Sequence, residues 1–370
     1  MTANPPPKKI LAVKLRALGD TVLMTAALKT LRQTFPFAEI HAVVTDQWAP
    51  LLQNQSYVDR IWPFTKRKTP QSKAKAIISL GLKLRKEQYD WVINFHASSS
   101  SAWLSFSSGA KTRAIHFHGH QDKNRFSTVI IPGKGRVKPA IERDLDCLRA
   151  LGVICPKKTY PEITLSSSQR EFTKKKLGLL DPPNQKLCVI GLGASRPTKC
   201  WPVERFAEVA RAWKETGFND NNSSTTSSQR RVGVITGPNE APLQEKFRDL
   251  FKEDFISIHA PKLDQLCAMI SVASFFIGND SGPKHLAVAL GVPTLTFFGP
   301  EDPYEWHPYP EDTHPTLYVP NLECRSDQLP GHPPWCGLQV CKEKKHQCML
   351  SIEVNDAIAK MKSTWKIFDD

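Results

Sequence analysis

A glycine-containing polar turn between an apolar strand pattern and an apolar helix pattern constrains the fold of this chain more than any other segment. It is the stretch 278–287, GNDSGPKHLA, and it follows the apolar run ASFFI at 273–277. Ser281 or Gly282 can cap the helix, and Pro283 suits a first turn in which no amide hydrogen is needed. A helix that starts this way presents free amides and its positive dipole end beside a strand terminus. We therefore predict a phosphate-binding site at this turn.

The same alternation of short apolar strands and amphipathic helices runs along the whole chain. Strand patterns occur at 9–15, 40–45, 91–95, 187–191, 231–236, 275–278 and 294–298, and helix patterns at 21–35, 83–89, 141–151, 169–177, 204–216, 264–273 and 352–365. Such alternation predicts an α/β architecture with parallel sheets covered by helices. We predict two doubly wound domains over residues 1–160 and 161–350, with a helix in 351–370 that packs back on the first domain.

Charge is distributed unevenly along the 370 residues. Residues 1–165 contain 26 Lys and Arg against 11 Asp and Glu, whereas residues 166–370 contain 24 against 25. The basic first half predicts an anionic partner, either a phosphorylated substrate, an anionic lipid surface or nucleic acid, with a generally basic solvated surface as the alternative. No apolar run approaches the roughly 20 residues of a bilayer span, and no signal-peptide core follows Met1, so we expect a cytoplasmic protein.

Three segments occur in an order and spacing that resemble one known family. They are the loop RALGD at 16–20, the segment GASRPTKCWP at 193–202 and the block DSGPKHLA at 280–287. Together they resemble glycosyltransferase family 9, the lipopolysaccharide heptosyltransferases, over nearly the whole chain. The resemblance implies a GT-B fold, in which two Rossmann-like doubly wound domains face each other across a cleft. It also implies metal-independent, inverting transfer of heptose from ADP-heptose to the inner core of lipopolysaccharide.

Two residues match catalytic positions of that family. Asp20 matches the proposed general base, which would take a proton from the acceptor hydroxyl as that oxygen attacks the anomeric carbon. Lys199 matches a phosphate-binding lysine, whose ammonium would stabilise the charge that grows on the departing nucleoside diphosphate. From the residues alone, Asp20 also fits a helix N-cap and Lys199 also fits a solvated loop lysine.

The resemblance places the nucleotide-sugar donor on the second domain. The candidate donor-binding residues are Ser195, Lys199, Glu240, Asp280, Ser281, Gly282 and His285. We assign Ser281 and Gly282 to the phosphates and Asp280 to sugar hydroxyls. His285 either binds a phosphate, orients Asp280 or packs within the helix, and Glu240 either binds the ribose or lies in a surface turn. Lys284 either adds positive charge to the site or faces solvent, and we expect it to face solvent.

The predicted acceptor is an anionic, lipid-linked saccharide. The candidate residues that would contact it are Arg16, Lys66, Arg67 and Lys68, with a solvated basic turn as the alternative for the last three. A lipid-linked acceptor and a basic first half together favour peripheral association with the cytoplasmic face of the inner membrane. Nucleic acid is not expected as a partner, because no recognisable nucleic-acid-binding module is present.

No cofactor is expected, and three segments of the chain contain side chains that can ligate a metal. The aspartates of Asp144-Leu145-Asp146 would point to different faces of a helix, which argues against an Asp-x-Asp metal motif. The histidines in 116–120 fit a loop better than a metal site. Near the end of the chain, four cysteines with His332 and His346 among them could form a structural zinc site. The four are Cys324, Cys336, Cys341 and Cys348. A reduced loop is the alternative for this segment.

Other functions remain open on the sequence alone. The same fold could use a different nucleotide sugar or a different acceptor, because motifs that bind phosphates do not read the sugar. It could also serve a protein that binds a nucleotide sugar without transferring it, or the basic half could bind nucleic acid with a steep salt dependence.

Overall fold

The chain consists of two compact units, Met1–Ile163 and Thr164–Asp370, each with its own parallel sheet. The computed structural model describes residues 5–96, 98–116, 125–131, 138–179, 185–215, 230–320, 322–325 and 335–369. The division falls between residues 163 and 164, where the sequence predicted 160 and 161.

The first unit alternates strands and helices in the order typical of a doubly wound domain. Its elements are β1 (Lys9–Lys14), α1 (Leu18–Thr34), β2 (Glu39–Thr45), a 3₁₀ segment (Asp46–Leu52), β3 (Arg60–Phe64), α2 (Pro70–Lys86), β4 (Trp91–Asn94), α3 (Ser99–Ser107), β5 (Thr112–Ile115) and α4 (Ala140–Arg149). The strands pair in the order β3-β2-β1-β4-β5, and every pair is parallel.

The central strand of this sheet explains where its ligand-facing loop lies. β1 is buried from Ile10 to Lys14 because helices cover both faces of a parallel sheet, so the strand is a nearly continuous apolar run. Its carboxyl end leads through a short loop into α1, most of which is buried. The segment 16–20 therefore lies at the carboxyl edge of the sheet, where doubly wound folds bind ligands.

The second unit repeats this plan with more strands. Its elements are α5 (Ser167–Lys176), β6 (Lys186–Gly191), a 3₁₀ turn (Pro197–Lys199), α6 (Val203–Glu215), β7 (Arg230–Thr236), α7 (Ala241–Phe251), β8 (Ile256–His259), α8 (Leu263–Ser271), β9 (Phe275–Asn279), α9 (Gly282–Ala289), β10 (Thr294–Phe298), α10 (Pro303–Trp306), β11 (Thr316–Tyr318), a 3₁₀ turn (Glu323–Arg325), α11 (Gln347–Leu350) and α12 (Val354–Asp369). The strand order is β11-β10-β9-β6-β7-β8.

The last helix packs in the core of the second unit, whereas the sequence predicted that a helix in 351–370 packs back on the first domain. Three buried residues of α12, Ala357, Met361 and Trp365, belong to the apolar core that β6, β7, β9 and α6 build. The Trp365 ring meets the Trp213 ring edge to face, with centroids 4.9 Å apart. Amphipathic spacing revealed which face of this helix is apolar, but it could not reveal which sheet that face covers.

Several elements have no clear counterpart in the sequence patterns. The predicted helix 83–89 is the end of the longer α2, whose earlier turns are mostly polar and exposed. The edge strand β3 contains Pro63, which removes a ladder donor and weakens a strand prediction.

Within the described residues, no helix combines the length and the apolarity that crossing a bilayer requires.

Candidate functional site

Two loops of the second unit lie side by side because the strands that carry them are neighbours. β6 and β9 pair in parallel, with Gly191 opposite Gly278, so their carboxyl ends open at the same edge of the sheet. Asn279 ties the loops together: its side-chain amide donates to the Leu192 carbonyl at 2.8 Å, and its Oδ1 accepts from the Trp201 amide at 2.9 Å. The residues that follow the two strands therefore form one site, in the position where α/β sheets bind ligands.

A cluster of charged side chains centred on Asp280 stands at this site. Lys199 Nζ lies 2.5 Å from Oδ2 of Asp280, and Lys284 Nζ lies 2.6 Å from Oδ1 of the same carboxylate. Lys284 is fully buried and also donates to the Trp306 carbonyl at 2.9 Å, whereas the Lys199 side chain is 13% exposed. The partly exposed lysine is thus the member of the cluster that a ligand can reach.

The electrostatics of the cluster follow from its burial. Burial by itself would raise the pKa of Asp280, but the charges of Lys284 and Lys199 outweigh it and hold that pKa below its usual range. Burial lowers the pKa of Lys284 to about 8, against the opposing effect of the Asp280 charge. At neutral pH the Asp280 carboxylate therefore faces two ammonium groups. Glu301 Oε1 lies 3.9 Å from Lys199 Nζ and is paired with Arg196, so three cations face two carboxylates and the excess charge is positive.

The amino end of α9 adds further positive potential beside this cluster. The helix starts at Gly282 with Ser281 as N-cap, and Pro283 lies in its first turn, as the sequence predicted. In the described part of the chain, the Ser281 side chain makes no capping hydrogen bond, and the amides of Ser281 and Gly282 have no protein acceptor. The Asp280 amide is already bonded to the Phe297 carbonyl at 3.1 Å. Two unengaged amides at a helix start form an anion site.

Lys284 is the functional candidate that sequence reasoning misplaced. The expectation that it faces solvent is wrong, because the side chain is completely enclosed and its Nζ lies 4.1 Å from the centre of the Phe298 ring. The available signal was its spacing from Asp280, since a side chain just before a helix can meet one four residues later in the first turn. The enclosing Phe298 comes from β10, so its position depends on tertiary structure.

Among the described residues, His285 bonds to Tyr309 and not to the charged cluster. Its Nδ1 lies 2.6 Å from the hydroxyl oxygen of Tyr309, and the ring is buried. Burial, with the nearby Lys284 charge, lowers the pKa of His285 well below its usual range, so the ring is neutral. This geometry favours the packed-histidine alternative over a direct contact with phosphate or with Asp280.

Glu240 lies in the loop after β7, which is next to the loop after β6. It precedes α7 after β7, and its Oε2 accepts from the Gly237 amide at 2.6 Å. The carboxyl group also occupies the space in which a side chain of Gly193 would lie, because a Cβ at that glycine would collide with it. Glu240 is therefore brought to the loop after β6, which also carries Lys199. Ser195, on the same loop, is exposed.

In the first unit, Asp20 lies in the first turn of α1 and is partly buried. Beside it, Lys14 Nζ lies 2.8 Å from Oδ1 of Asp144, and this ion pair is buried. Burial raises the pKa of Asp144 to about 6, the Lys14 charge opposes this, and the Asp20 charge adds to the rise. The carboxylate of Asp20 therefore shares its electrostatic environment with a buried pair that sequence reasoning did not identify.

The other aspartate of the Asp-x-Asp pattern makes separate contacts. Asp146 binds Lys138 at 2.6 Å and Arg149 at 2.8 Å. Asp144 and Asp146 thus each pair with lysine or arginine, in agreement with the expectation that they point to different sides of α4. Of the histidines in 116–120, only His116 lies within the described residues.

The candidate acceptor residues fall on two different loops of the first unit. Arg16 is exposed before α1, and its Nε donates to Nε2 of His96 at 3.1 Å. Lys66, Arg67 and Lys68 are exposed between β3 and α2. Since β2 separates β3 from β1 in the sheet, these three are not brought beside Asp20 by adjacent strands.

All nine cysteines lie in the described part of the chain, and none forms a disulfide bond. Cys324, Cys336, Cys341 and Cys348 line one pocket of the second unit. Among the described residues, no three His, Cys, Asp or Glu side chains already stand in an arrangement that would hold a metal ion.

Two Rossmann-like units, one with an anion site at its strand ends, are typical of glycosyltransferases with the GT-B fold. A model of glycosyltransferase family 9 (heptosyltransferase) matches residues 77–328. Lipopolysaccharide heptosyltransferase 3 of Escherichia coli K12 is 27% identical over 309 residues, which cover 80% of this chain and 84% of that protein. The lipopolysaccharide core heptosyltransferase OpsX of Haemophilus influenzae is 24% identical over 359 residues, which cover 96% of each chain.

A solved structure matches over the same extent. The ADP-heptose lps heptosyltransferase II of E. coli has a TM-score of 0.74 at 17% identity, covering 98% of this chain and 100% of that one. The family model spans more than half of the sequence, so the chain belongs to glycosyltransferase family 9. The predicted α/β fold and the family resemblance are both confirmed.

Proposed function

We propose that this protein transfers a heptose from ADP-heptose to the inner core of lipopolysaccharide, with inversion at the anomeric carbon. Membership of glycosyltransferase family 9 supports sugar transfer, and the names of its relatives support heptose, ADP and lipopolysaccharide. The observation that carries the proposal is the partly exposed Lys199 ammonium beside the two unengaged amides of α9. A pyrophosphate fits these donors by charge and by hydrogen bonding.

In the proposed reaction, the second unit holds the donor. Lys199 and the amides of Ser281 and Gly282 bind the diphosphate. The Lys199 ammonium has three N–H donors and Asp280 accepts one of them, so the others can donate to the diphosphate. As the glycosidic bond breaks, negative charge grows on the diphosphate, and these groups stabilise it more in the transition state than in the ground state. Asp280, Ser195 and Glu240 are assigned to the sugar and the nucleoside.

Asp20 of the first unit is the proposed general base. It takes the proton of the acceptor hydroxyl while that oxygen attacks the anomeric carbon from the face opposite the diphosphate, which inverts the configuration. At the diphosphate, Lys199 takes the place of a divalent metal ion. Adding Mg²⁺ or Mn²⁺ should therefore leave the transfer rate unchanged.

The proposed acceptor is an anionic saccharide on a lipid at the cytoplasmic face of the inner membrane. The excess of Lys and Arg in residues 1–165 supports an anionic partner for the first unit. Arg16, Lys66, Arg67 and Lys68 are exposed and available for this contact.

The test compares the wild-type protein with Asp20→Asn in a transfer assay and in calorimetric titrations with ADP-heptose. Loss of a general base should lower kcat by about a hundredfold or more while the donor Kd stays nearly constant. Asp46→Asn removes an exposed carboxylate of the same unit and is the matched control.

Other outcomes would select the alternatives. Donor binding with no turnover by the wild-type protein on any lipopolysaccharide acceptor would indicate a nucleotide-sugar-binding protein without transfer activity. Thermal stabilisation by UDP-sugars or GDP-sugars, with none by ADP compounds, would contradict the donor assignment. Full turnover by Asp20→Asn would contradict the role of the base.

A further inference from the structure

Six side chains that can ligate a metal line one pocket of the second unit, next to the turn that carries Lys199. They are Cys324, Cys336, Cys341, Glu343, His346 and Cys348. They come from a 3₁₀ turn, a loop and the start of a four-residue helix, so short, non-sheet segments carry all of them.

His346 supplies the observation that points to a ligand. It precedes α11 with a left-handed backbone, φ of 50°, and its Nε2 is buried. Within the described residues this nitrogen has no hydrogen-bond partner. A buried polar atom without a partner is costly, and a neutral imidazole nitrogen is a common metal ligand.

The chemistry of the pocket selects the class of metal. None of the four cysteines is in a disulfide, and thiolate with imidazole is the ligand combination that zinc and iron take in tetrahedral sites. Cys348 differs from the other three cysteines because it belongs to the buried apolar core. The sixth side chain, Glu343, is exposed to solvent. The three partly exposed thiols and the unpartnered imidazole supply the four ligands of a tetrahedral site.

We propose that Cys324, Cys336, Cys341 and Nε2 of His346 bind one zinc or iron ion. The thiols lose their protons on binding, and the metal draws the loop side chains into ligating positions, because such sites form together with their metal. His346 replaces Cys348 of the sequence-based zinc prediction.

We expect this ion to have a structural role, in which it stabilises the loop that carries Lys199. Arg196 donates from Nη1 to the Gly337 carbonyl at 2.7 Å, and Thr198 donates from Oγ1 to the Leu338 carbonyl at 3.0 Å. The Gly337 amide in turn donates to the Pro300 carbonyl at 2.7 Å. Ligands at positions 336 and 341 would hold this segment against the turn before Lys199.

The experiment measures the metal content of the full chain, purified without chelators, by elemental analysis for zinc and iron. Stoichiometric metal is expected, with release on titration by a mercurial reagent. Cys336→Ser, Cys341→Ser and His346→Asn should lose it. Cys348→Ser should retain it, as should Cys155→Ser and Cys267→Ser, which alter thiols outside the pocket and are the matched controls.

A second measurement covers variants that fail to fold. The wild-type protein, stripped of metal and titrated with Co²⁺, should show thiolate charge-transfer bands and the strong visible bands of tetrahedral cobalt. Absence of metal from the purified protein together with absence of these bands would overturn the proposal. Metal retained by His346→Asn but lost by Cys348→Ser would overturn the ligand set. Both readouts are independent of sugar transfer, so they stand or fail separately from the proposed function.

Discussion

Two lysines pair with Asp280, and they differ in burial and therefore in function. Lys284 has no exposed surface and makes fixed contacts with Asp280 and the Trp306 carbonyl, so it cannot move to a ligand. Lys199 keeps some exposure and lies on a short turn. Lys284 thus keeps the carboxylate ionised and oriented. Because Asp280 keeps this partner, Lys199 can turn to a phosphate without leaving a buried charge unpaired.

This division of tasks predicts a pH effect on donor binding. As pH rises through about 8, Lys284 loses its proton, and Asp280 then depends on Lys199 alone. The donor KM should therefore rise above that pH. Lys284→Met should raise the donor KM at neutral pH by about tenfold, the equivalent of one charge-assisted hydrogen bond, and should abolish the rise near pH 8. Initial rates over a pH series give both results.

The control for this prediction is Lys246→Met. Lys246 is half exposed in the same unit and pairs with Glu204, so its removal should leave the pH profile unchanged. An unaltered inflection near pH 8 in Lys284→Met would show that another group titrates there.

At the scale of elements, the donor site depends on which strands are neighbours. β6 lies between β9 and β7, so the loops after these three strands converge, and Asn279 and Glu240 link them. The sequence predicted these strands because buried parallel strands are short apolar runs with turn residues after them. It also placed the motif residues at their ends.

The remaining contacts could not be predicted from the sequence. The enclosure of Lys284, the Glu240 carboxyl above Gly193 and the Lys14–Asp144 pair all join residues far apart in the chain. Periodicity reports the local conformation of a segment, and these contacts are set by strand order.

Gly193→Ala tests the link between the loops after β6 and β7. The new Cβ would displace the Glu240 carboxyl, which is the end of a flexible side chain, so stability should change by less than about 1 kcal/mol. If Glu240 binds the ribose as proposed, ADP should bind about tenfold more weakly, by the loss of one strong hydrogen bond. Calorimetry with ADP measures this.

A double-mutant cycle provides the control. In a Glu240→Ala background, Gly193→Ala should cost little further ADP affinity, because the displaced group is already absent. An equal loss in both backgrounds would mean that Gly193 acts independently of Glu240.

At the scale of the whole molecule, the two units differ in charge and have separate cores. The first unit carries the excess of basic residues, and the second is nearly balanced. All residues proposed to contact the donor belong to the second unit, and the proposed base belongs to the first. Its core includes α12, although that helix is the last element of the chain and a boundary at residue 350 would exclude it.

We therefore expect residues 164–370 to fold alone and to bind ADP about as tightly as the full chain, whereas residues 164–353 should not fold. The shorter fragment loses Ala357, Met361 and Trp365 from the core. Truncating a single buried Trp or Met side chain costs about 2–5 kcal/mol, and a domain has only about 5–15 kcal/mol of stability in total. Circular dichroism and calorimetry on both fragments measure folding and ADP affinity. A folded 164–353 fragment would show that α12 is dispensable, and a folded 164–370 fragment that does not bind ADP would show that the donor site needs residues of the first unit.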